Sequence, residues 1–330
     1  MECMQMRWIK WGLGFFIVSG SILMVYTLWD NQRIIVREEN IGIDDLPEEL
    51  DGFTILQITD LHEKTFGENQ RKLIDKVNSL EYDAIVFTGD MLDDAQSQNY
   101  NPTYDLLDGI NNLDHALFVS GNTDPNHFEP ISARTSDKHD FVKGMADRGV
   151  RPLESIYPMD VGEASVHFVE FEISLKDPYD EIAKLESSSQ SAKEPDDEHL
   201  INLYEEMKTI NDLSNEDILI SLYHYPLVDQ RIDIYQKDPS VHFRDYDLHI
   251  AGHYHGGQIR LPFLGALMVP EAYYDNYGLL PPQDRVMGYW EYDGLKQYVS
   301  AGLGSSRAVG FLNFRFLNPP EINLLTLKKE

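Results

Sequence analysis

Cysteine is nearly absent: Cys3 is the single one in 330 residues. An intrachain disulfide and a cysteine-ligated metal centre are both excluded. A lone thiol beside an apolar segment can be palmitoylated or can be inert. Basic residues are also scarce, with 27 Lys and Arg against 56 Asp and Glu, a formal net charge of -29. So acidic a chain, without a basic cluster, repels nucleic-acid backbones, and no nucleic-acid partner is expected. The same field opposes any phosphate-bearing ligand, so a site for one needs local positive charge, which bound cations can supply. No internal repeat is visible. About 42% of the residues are apolar, enough at this length for one large domain plus small additions.

A long uncharged run is present. From Trp11 to Trp29 the sequence reads WGLGFFIVSGSILMVYTLW, and about 20 such residues span a bilayer as a helix. Trp8, Trp11, Tyr26 and Trp29 lie near its ends, where aromatic rings suit the membrane interface. A buried soluble helix would need a polar face that is missing. A cleaved signal peptide would be shorter and would end in a small-x-small site. Residues 1–30 are expected to be an uncleaved transmembrane helix, and residues 31–330 the catalytic domain. Arg7 and Lys10 favour a cytoplasmic N-terminus, while Arg33 and Arg37 nearly balance them. The expectation is a single-pass protein of the cell membrane with its domain on the extracytoplasmic face.

Beyond residue 30, a strand and a polar link lead into an alternation of short apolar runs and helical patterns. FTILQITD (53–60), DAIVFTGD (83–90) and ALFVSGN (116–122) read as buried strands. Leu73, Ile74, Val77 and Leu80 recur at helical spacing. A helix near 139–148 and a strand pair over 155–173 follow. DILISLYHYP (217–226) and YDLHIAGHYHGGQIRLP (246–262) add strands, and two more with a Gly-rich turn between them are expected from Lys296 onward. The alternation predicts an α/β fold. Residues 176–217, with their LESSSQSAKEPDDEH stretch, read as an acidic insertion, either a substrate-selecting cap or a solvated loop, with a surface helix over 199–213.

The residues able to do chemistry share one placement, at or just past the C-terminal end of a strand, where open α/β sheets gather ligands. Asp60 and His62 follow the first strand as D-L-H, Asp90 the second as G-D, and Asn122 the third as G-N. His224 follows a later strand, and His253 and His255 another as G-H-Y-H. A lone histidine after a strand is usually structural. Seven oxygen and nitrogen donors in this order are not explained that way, and they suit manganese, iron or zinc.

This ordered set, D-L-H, G-D, G-N, H and G-H-Y-H, resembles the signature of the calcineurin-like metallophosphoesterase family. The resemblance covers about residues 50–325. The segments GHYHGGQIRLPFLGAL and RFLNPPEINLLTL are most similar to small, N-terminally anchored bacterial members. It implies two mixed β-sheets packed face to face with helices outside both. It implies two divalent ions, one held by Asp60, His62 and His255, the other by Asn122, His224 and His253, with Asp90 bridging. It also implies a bridging hydroxide that attacks the phosphorus of a phosphomonoester or phosphodiester. An anchor at the bilayer makes a lipid-linked phosphate a natural substrate, and no protein partner is evident.

One position departs from the pattern. The family usually carries histidine directly after the asparagine, as the acid that protonates the leaving group, and here it is Thr123. General acid catalysis contributes about 10²–10⁴-fold. Three readings follow: substrates with good leaving groups, another acid drawn from His127, Asp124 or His115, or a membrane-tethered metal-binding regulatory module with little activity. Glu63, Gln258, Arg260 and Arg307 are further candidates for lining the cleft.

Overall fold

The computed structural model describes residues 2–127, 138–188, 195–306 and 313–330. Arg307 lies outside the described residues. The strands run β1 Ile35–Ile43, β2 Thr54–Ile58, β3 Ala84–Phe87, β4 Ala116–Phe118, β5 Val150–Pro152, β6 Ile156–Val161 and β7 Ala164–Glu170. They continue as β8 Asp217–Leu222, β9 Leu248–Ala251, β10 Arg260–Leu261, β11 Gly265–Ala266, β12 Gly288–Tyr292, β13 Leu295–Val299 and β14 Glu321–Lys329.

Among the described residues there are two six-stranded sheets, ordered β1-β14-β2-β3-β4-β5 and β12-β13-β9-β8-β7-β6, and the small β10-β11 hairpin. Both large sheets are mixed. β2 to β5 are parallel while β14 is antiparallel to β2. In the second sheet β7, β8, β9 and β13 are parallel, with β6 and β12 antiparallel on its flanks.

The apolar runs are continuous because both faces of each central strand are buried. Ile55, Val86, Leu117 and Leu325 of the first sheet meet Phe168, Ile220 and Ile250 of the second in one core. Their strand neighbours Leu56, Ile85 and Phe118 turn the other way. There they pack on α2 (Arg71–Val77), α3 (Asn101–Gly109) and α4 (Asp140–Ala146). The outer face of the second sheet is covered by α5 (Phe171–Ser174), the end of α7 (Pro195–Met207) and α8 (Asp229–Lys237).

Several expectations need adjustment. The surface helix expected over 199–213 is α7 followed by a 3-10 turn at Lys208–Asp212, and α6 (Pro178–Ser188) packs beside α7. The late pair expected from Lys296 onward is β13 and β14, with Gly302 and Gly304 between them, and the strand not foreseen is β12, which forms a hairpin with β13. β12 is an edge strand whose alternating half-exposed residues give no apolar run to read.

Among its described side chains, the N-terminal helix, Glu2–Asp30, exposes many apolar ones, Phe15, Ile22, Val25 and Leu28 among them. Among the described residues no helix is long and apolar enough to cross a membrane. The side chains at 2–9, 12, 13 and 16 lie outside that description.

Candidate metal centre

Parallel strands within a sheet end at one edge, and the loops leaving β2, β3 and β4 of the first sheet face those leaving β8 and β9 of the second. Two groups of donors result. Ligand atoms of Asp60, His62, Asp90 and His255 lie within 4.8 Å of one another, and so do those of Asp90, His224 and His253. Asp90 belongs to both groups. Asn122, on the loop after β4, lines the same cavity with Asp90, His253 and His255. The structure thus brings all seven residues to one cleft.

The backbone there is unusual. Asp60, His62, Asp90, His253 and His255 all have positive φ, between 47° and 71°. Such conformations are uncommon outside glycine, and the residue types that best tolerate them include Asp and His. Held by the surrounding structure, they aim side chains into the gap between the sheets. A Cβ at Gly121 would overlap the Asp90 carboxylate, and one at Gly89, where φ is +91°, would come within 2.5 Å of Gly121 N. Glycine is required at both places for the two loops to touch.

Three of the donors, Asp90, His224 and Asp60, are held by further bonds. Thr123 N–H donates to Asp90 Oδ1 at 2.8 Å, leaving Oδ2 3.4 Å from His62 Nε2 and 3.3 Å from His224 Nε2. His224 Nδ1 bonds to Thr88 O at 2.8 Å. A carbonyl only accepts, so Nδ1 carries the proton and Nε2 is kept for the cleft. His253 N–H lies 3.2 Å from both Asp60 oxygens, and Thr59 Oγ1 donates to Oδ2 at 2.9 Å.

Electrostatics follow from burial and crowding. Burial, with the neighbouring Asp90 charge, pushes the Asp60 carboxyl up to about 6. Burial also acts to raise Asp90, but His224 and His62 outweigh it and hold that carboxyl well below the usual range. For His224, burial is overcome by Asp90, and its imidazolium is favoured up to about 9. Burial lowers His253 to about 3 and His255 far below its ordinary value.

A divalent cation fits this donor set. Both ring nitrogens of His62 and Nδ1 of His255 are buried with no hydrogen-bond partner, although Asp93 Oδ1 stands 3.5 Å from His62 Nδ1. Buried polar atoms are rarely left so. All donors are imidazole, carboxylate or amide, which suits borderline divalent ions.

None of the expected acids Asp124, His127 and His115 lines the cavity shared by Asp90 and Asn122. Asp124 accepts from Met91 N and Leu92 N through Oδ1, and from Gly121 N through Oδ2, at 2.9–3.0 Å. Its oxygens are committed to clamping the Asp90 and Asn122 loops together. His127 packs on Phe118, a residue of the helix-side core, and faces Glu154 at 3.6 Å. His115 precedes β4, at the opposite edge of the sheet from Asn122, and bonds Tyr157. Thr123 Oγ1 donates to Leu92 O at 2.7 Å and so is no proton donor to a substrate. Glu63 accepts from Asp93 N and Asn99, Gln258 lines the cavity, and Arg260 braces Gly256 O.

Sequence reasoning missed Arg315 and Asn318. Arg315 is fully buried, and its guanidinium donates to Asn318 O, Gly304 O and His255 O at 2.8, 2.8 and 3.2 Å. Asn318 Nδ2 donates to the same His255 carbonyl at 2.7 Å. Together they fix the strained His255 turn. Both sit in the RFLNPPE segment, where an arginine amid apolar residues and before paired prolines was the available signal.

A family profile described as Calcineurin-like phosphoesterase matches residues 53–257. The uncharacterized metallophosphoesterase YkuE of Bacillus subtilis (strain 168) is 28% identical over 296 residues, 88% of this chain and 84% of that protein. The UDP-2,3-diacylglucosamine pyrophosphatase LpxG of Chlamydia muridarum is 25% identical over 316 residues, 84% of each chain. Among solved structures, the phosphopantetheinyl hydrolase PptH of Mycobacterium tuberculosis aligns at a TM-score of 0.38 and 14% identity, over 77% of this chain and 91% of its own. Nothing about function is drawn from so slight a likeness.

Proposed function

The chain belongs to the calcineurin-like phosphoesterase family, and from that premise we propose a membrane-tethered enzyme that hydrolyses a diphosphate or phosphodiester carrying an apolar group. Family membership makes it a hydrolase of phosphate esters, and the buried Asp and His cluster supports divalent metal ions in its site. The observation that carries the finer reading is Asp90, shared by two groups of donors.

In this reading Asp60, His62 and His255 would hold one ion, and Asn122, His224 and His253 the other, with Asp90 common to both groups. Bound there, such ions would supply positive charge for phosphate oxygens and lower the pKa of a water towards neutral pH. The protein's own part is positioning. Thr123 N–H orients Asp90, Thr88 O fixes the His224 tautomer, and His253 N–H holds Asp60. Among the described residues none of the named acids points into the cleft, so the leaving group departs as an anion. Phosphate leaving from a diphosphate, or an aryl oxide, meets that condition, whereas a simple alkoxide does not. The cavity, ≈ 350 Å³, is walled on one side by Ile259, Leu267, Met268 and Pro270. That wall suits an apolar substituent. The name of the LpxG relative describes a pyrophosphatase acting on a diacylated sugar nucleotide, which is a substrate of this kind.

Residues 1–30 serve as the anchor in this reading, because a helix exposing so many apolar side chains is unstable in water. The charges at Arg7 and Lys10 favour a domain on the extracytoplasmic face. The test uses the full chain in detergent, stripped of metal and then given manganese. Aryl phosphodiester hydrolysis should return with the metal, with an alkyl diester slower by roughly 10²–10⁴-fold for want of an acid. Metal bound without any turnover would instead favour a regulatory module. Equal rates on both esters would place an acid where none is proposed.

A further inference from the structure

Large hydrophobic side chains are exposed in one neighbourhood of the domain. The β10–β11 hairpin carries Leu261, Phe263 and Leu264 at its tip, all exposed. Tyr277, Leu279 and Leu280 are exposed on a second loop, tied to the hairpin's far side by Leu280 N–H to Leu267 O and by pairing of Met268 with Leu279. Phe314 and Leu317 are exposed on a third, joined to the hairpin by Arg260 N–H to Phe316 O and Phe316 N–H to Gln258 O. A contiguous apolar surface of this kind marks a binding face.

Three observations say what covers it. First, the rim adjoins the N-terminal helix: just past that helix, Asn31 bonds the backbone O and N of Arg315 at 2.6 and 2.8 Å, between Phe314 and Phe316. Second, the topology puts that helix at the metal edge. β1 runs antiparallel to β2 through the intervening β14, so the chain enters the sheet beside the end of β2 that leads to Asp60. Third, the charge is uneven. In a chain of net charge -29, residues 259–270 and 313–320 contain no Asp or Glu, while the second loop lies between Asp275 and Asp284. The opposite edge forms a groove lined by Asp44, Asp45, Glu48, Glu216 and Asp217 among others.

We propose that this rim seats on a lipid bilayer beside the N-terminal helix, so that the metal cleft opens at the membrane surface. Ile259, Leu267 and Met268 at the root of the hairpin wall the cleft itself, so the rim and the metal site share the hairpin. The acidic edge then faces water, away from lipid phosphates. The inference rests on the proposed anchor and adds a second contact with the membrane.

The test places a fluorescent label on the full chain at Phe263→Cys in a Cys3→Ser background, with Asn215→Cys at the acidic edge as the control. Phosphatidylcholine vesicles carry nitroxide quenchers near the headgroups, and turnover of a soluble aryl phosphodiester checks that each variant is folded. Seating about 5–10 Å into the interface predicts that lipid nitroxides quench the label at 263 and not the one at 215. A chain that floats with the vesicles while its 263 label stays unquenched overturns the rim and leaves the anchor. A 263 label shielded from both lipid nitroxide and aqueous iodide also overturns it and points to a second copy of the chain as cover. Failure to float overturns anchor and rim together.

Discussion

The two sheets contribute unequally to the cleft. The first supplies every oxygen donor, Asp60, Asp90 and Asn122, together with His62, while the second supplies only imidazoles, His224, His253 and His255. Neither half holds a full complement of ligands. The first donor group needs His255 from across the interface, and the second needs Asp90. The centre therefore exists only when the sheets are packed, and the buried Gln57 helps to seal that packing: its amide on β2 donates to Thr88 Oγ1 and, across the interface, to Ala251 O, each at 2.8 Å. Metal binding and domain folding should be coupled, because ligands on two sheets converge only in the native state.

Breaking the shared residue has the largest expected effect. Asp90→Asn should remove both ions and lower turnover by more than roughly 100-fold, as read by metal analysis beside activity. Single losses on either side should be smaller and distinct. His62→Ala should empty the group built mainly on the first sheet, and His253→Ala the group built mainly on the second, each leaving about one ion per chain. If both variants lose the same ion, the division between sheets is wrong.

Next in size is the brace behind His255. Arg315→Lys cannot span three carbonyls and should weaken metal affinity by roughly 10–100-fold, with the maximum shifted little. Substrate titration at saturating manganese should restore most of the rate. Unchanged metal affinity would show that the buried fork has no hold on the turn.

Acidity gives a graded test. In the metal-free site Asp90 keeps the His224 imidazolium up to about 9, and a cation at its Nε2 must displace that proton. Manganese affinity should rise with pH from 6 towards 9 and level above it, with protons released on binding. The sign follows from the raised value: below it the proton competes, above it the proton is gone. A pH-independent affinity over that range would contradict the assignment.

The smallest effect is expected at the position that departs from the family pattern. Thr123→Ala loses the hydroxyl bond to Leu92 O, at a cost of about 1 kcal/mol in stability, and should leave aryl ester turnover within about threefold because the hydroxyl transfers no proton. A loss near the 10²–10⁴-fold scale of acid catalysis would show that the Thr123 hydroxyl takes part in proton transfer after all.

The metal-facing side of the fold was legible because its signals are local. Buried parallel strands are written as apolar runs, and each ends in a short polar motif whose residues, such as Asp60 and His253, can adopt positive φ. What the sequence withheld depends on contacts distant along the chain. Asp124 sits one residue from Thr123 and looks available, but three backbone N–H groups from two loops occupy it. His115 lies only seven residues before Asn122, yet an intervening strand puts it at the other edge of the sheet. Arg315 reads as a surface charge until the fold buries it against three carbonyls, and β12 gives no apolar run because it is an edge strand. Periodicity reports which face is buried and says nothing of which distant loop will fill a side chain's hydrogen bonds.

The most direct measurement is manganese titration of the metal-stripped full chain, followed by electron paramagnetic resonance. A site in which Asp90 joins two donor groups predicts two ions per chain and the spectrum of an exchange-coupled pair, lost in Asp90→Asn. Saturation at one ion, with the six-line spectrum of isolated manganese, would contradict the shared centre.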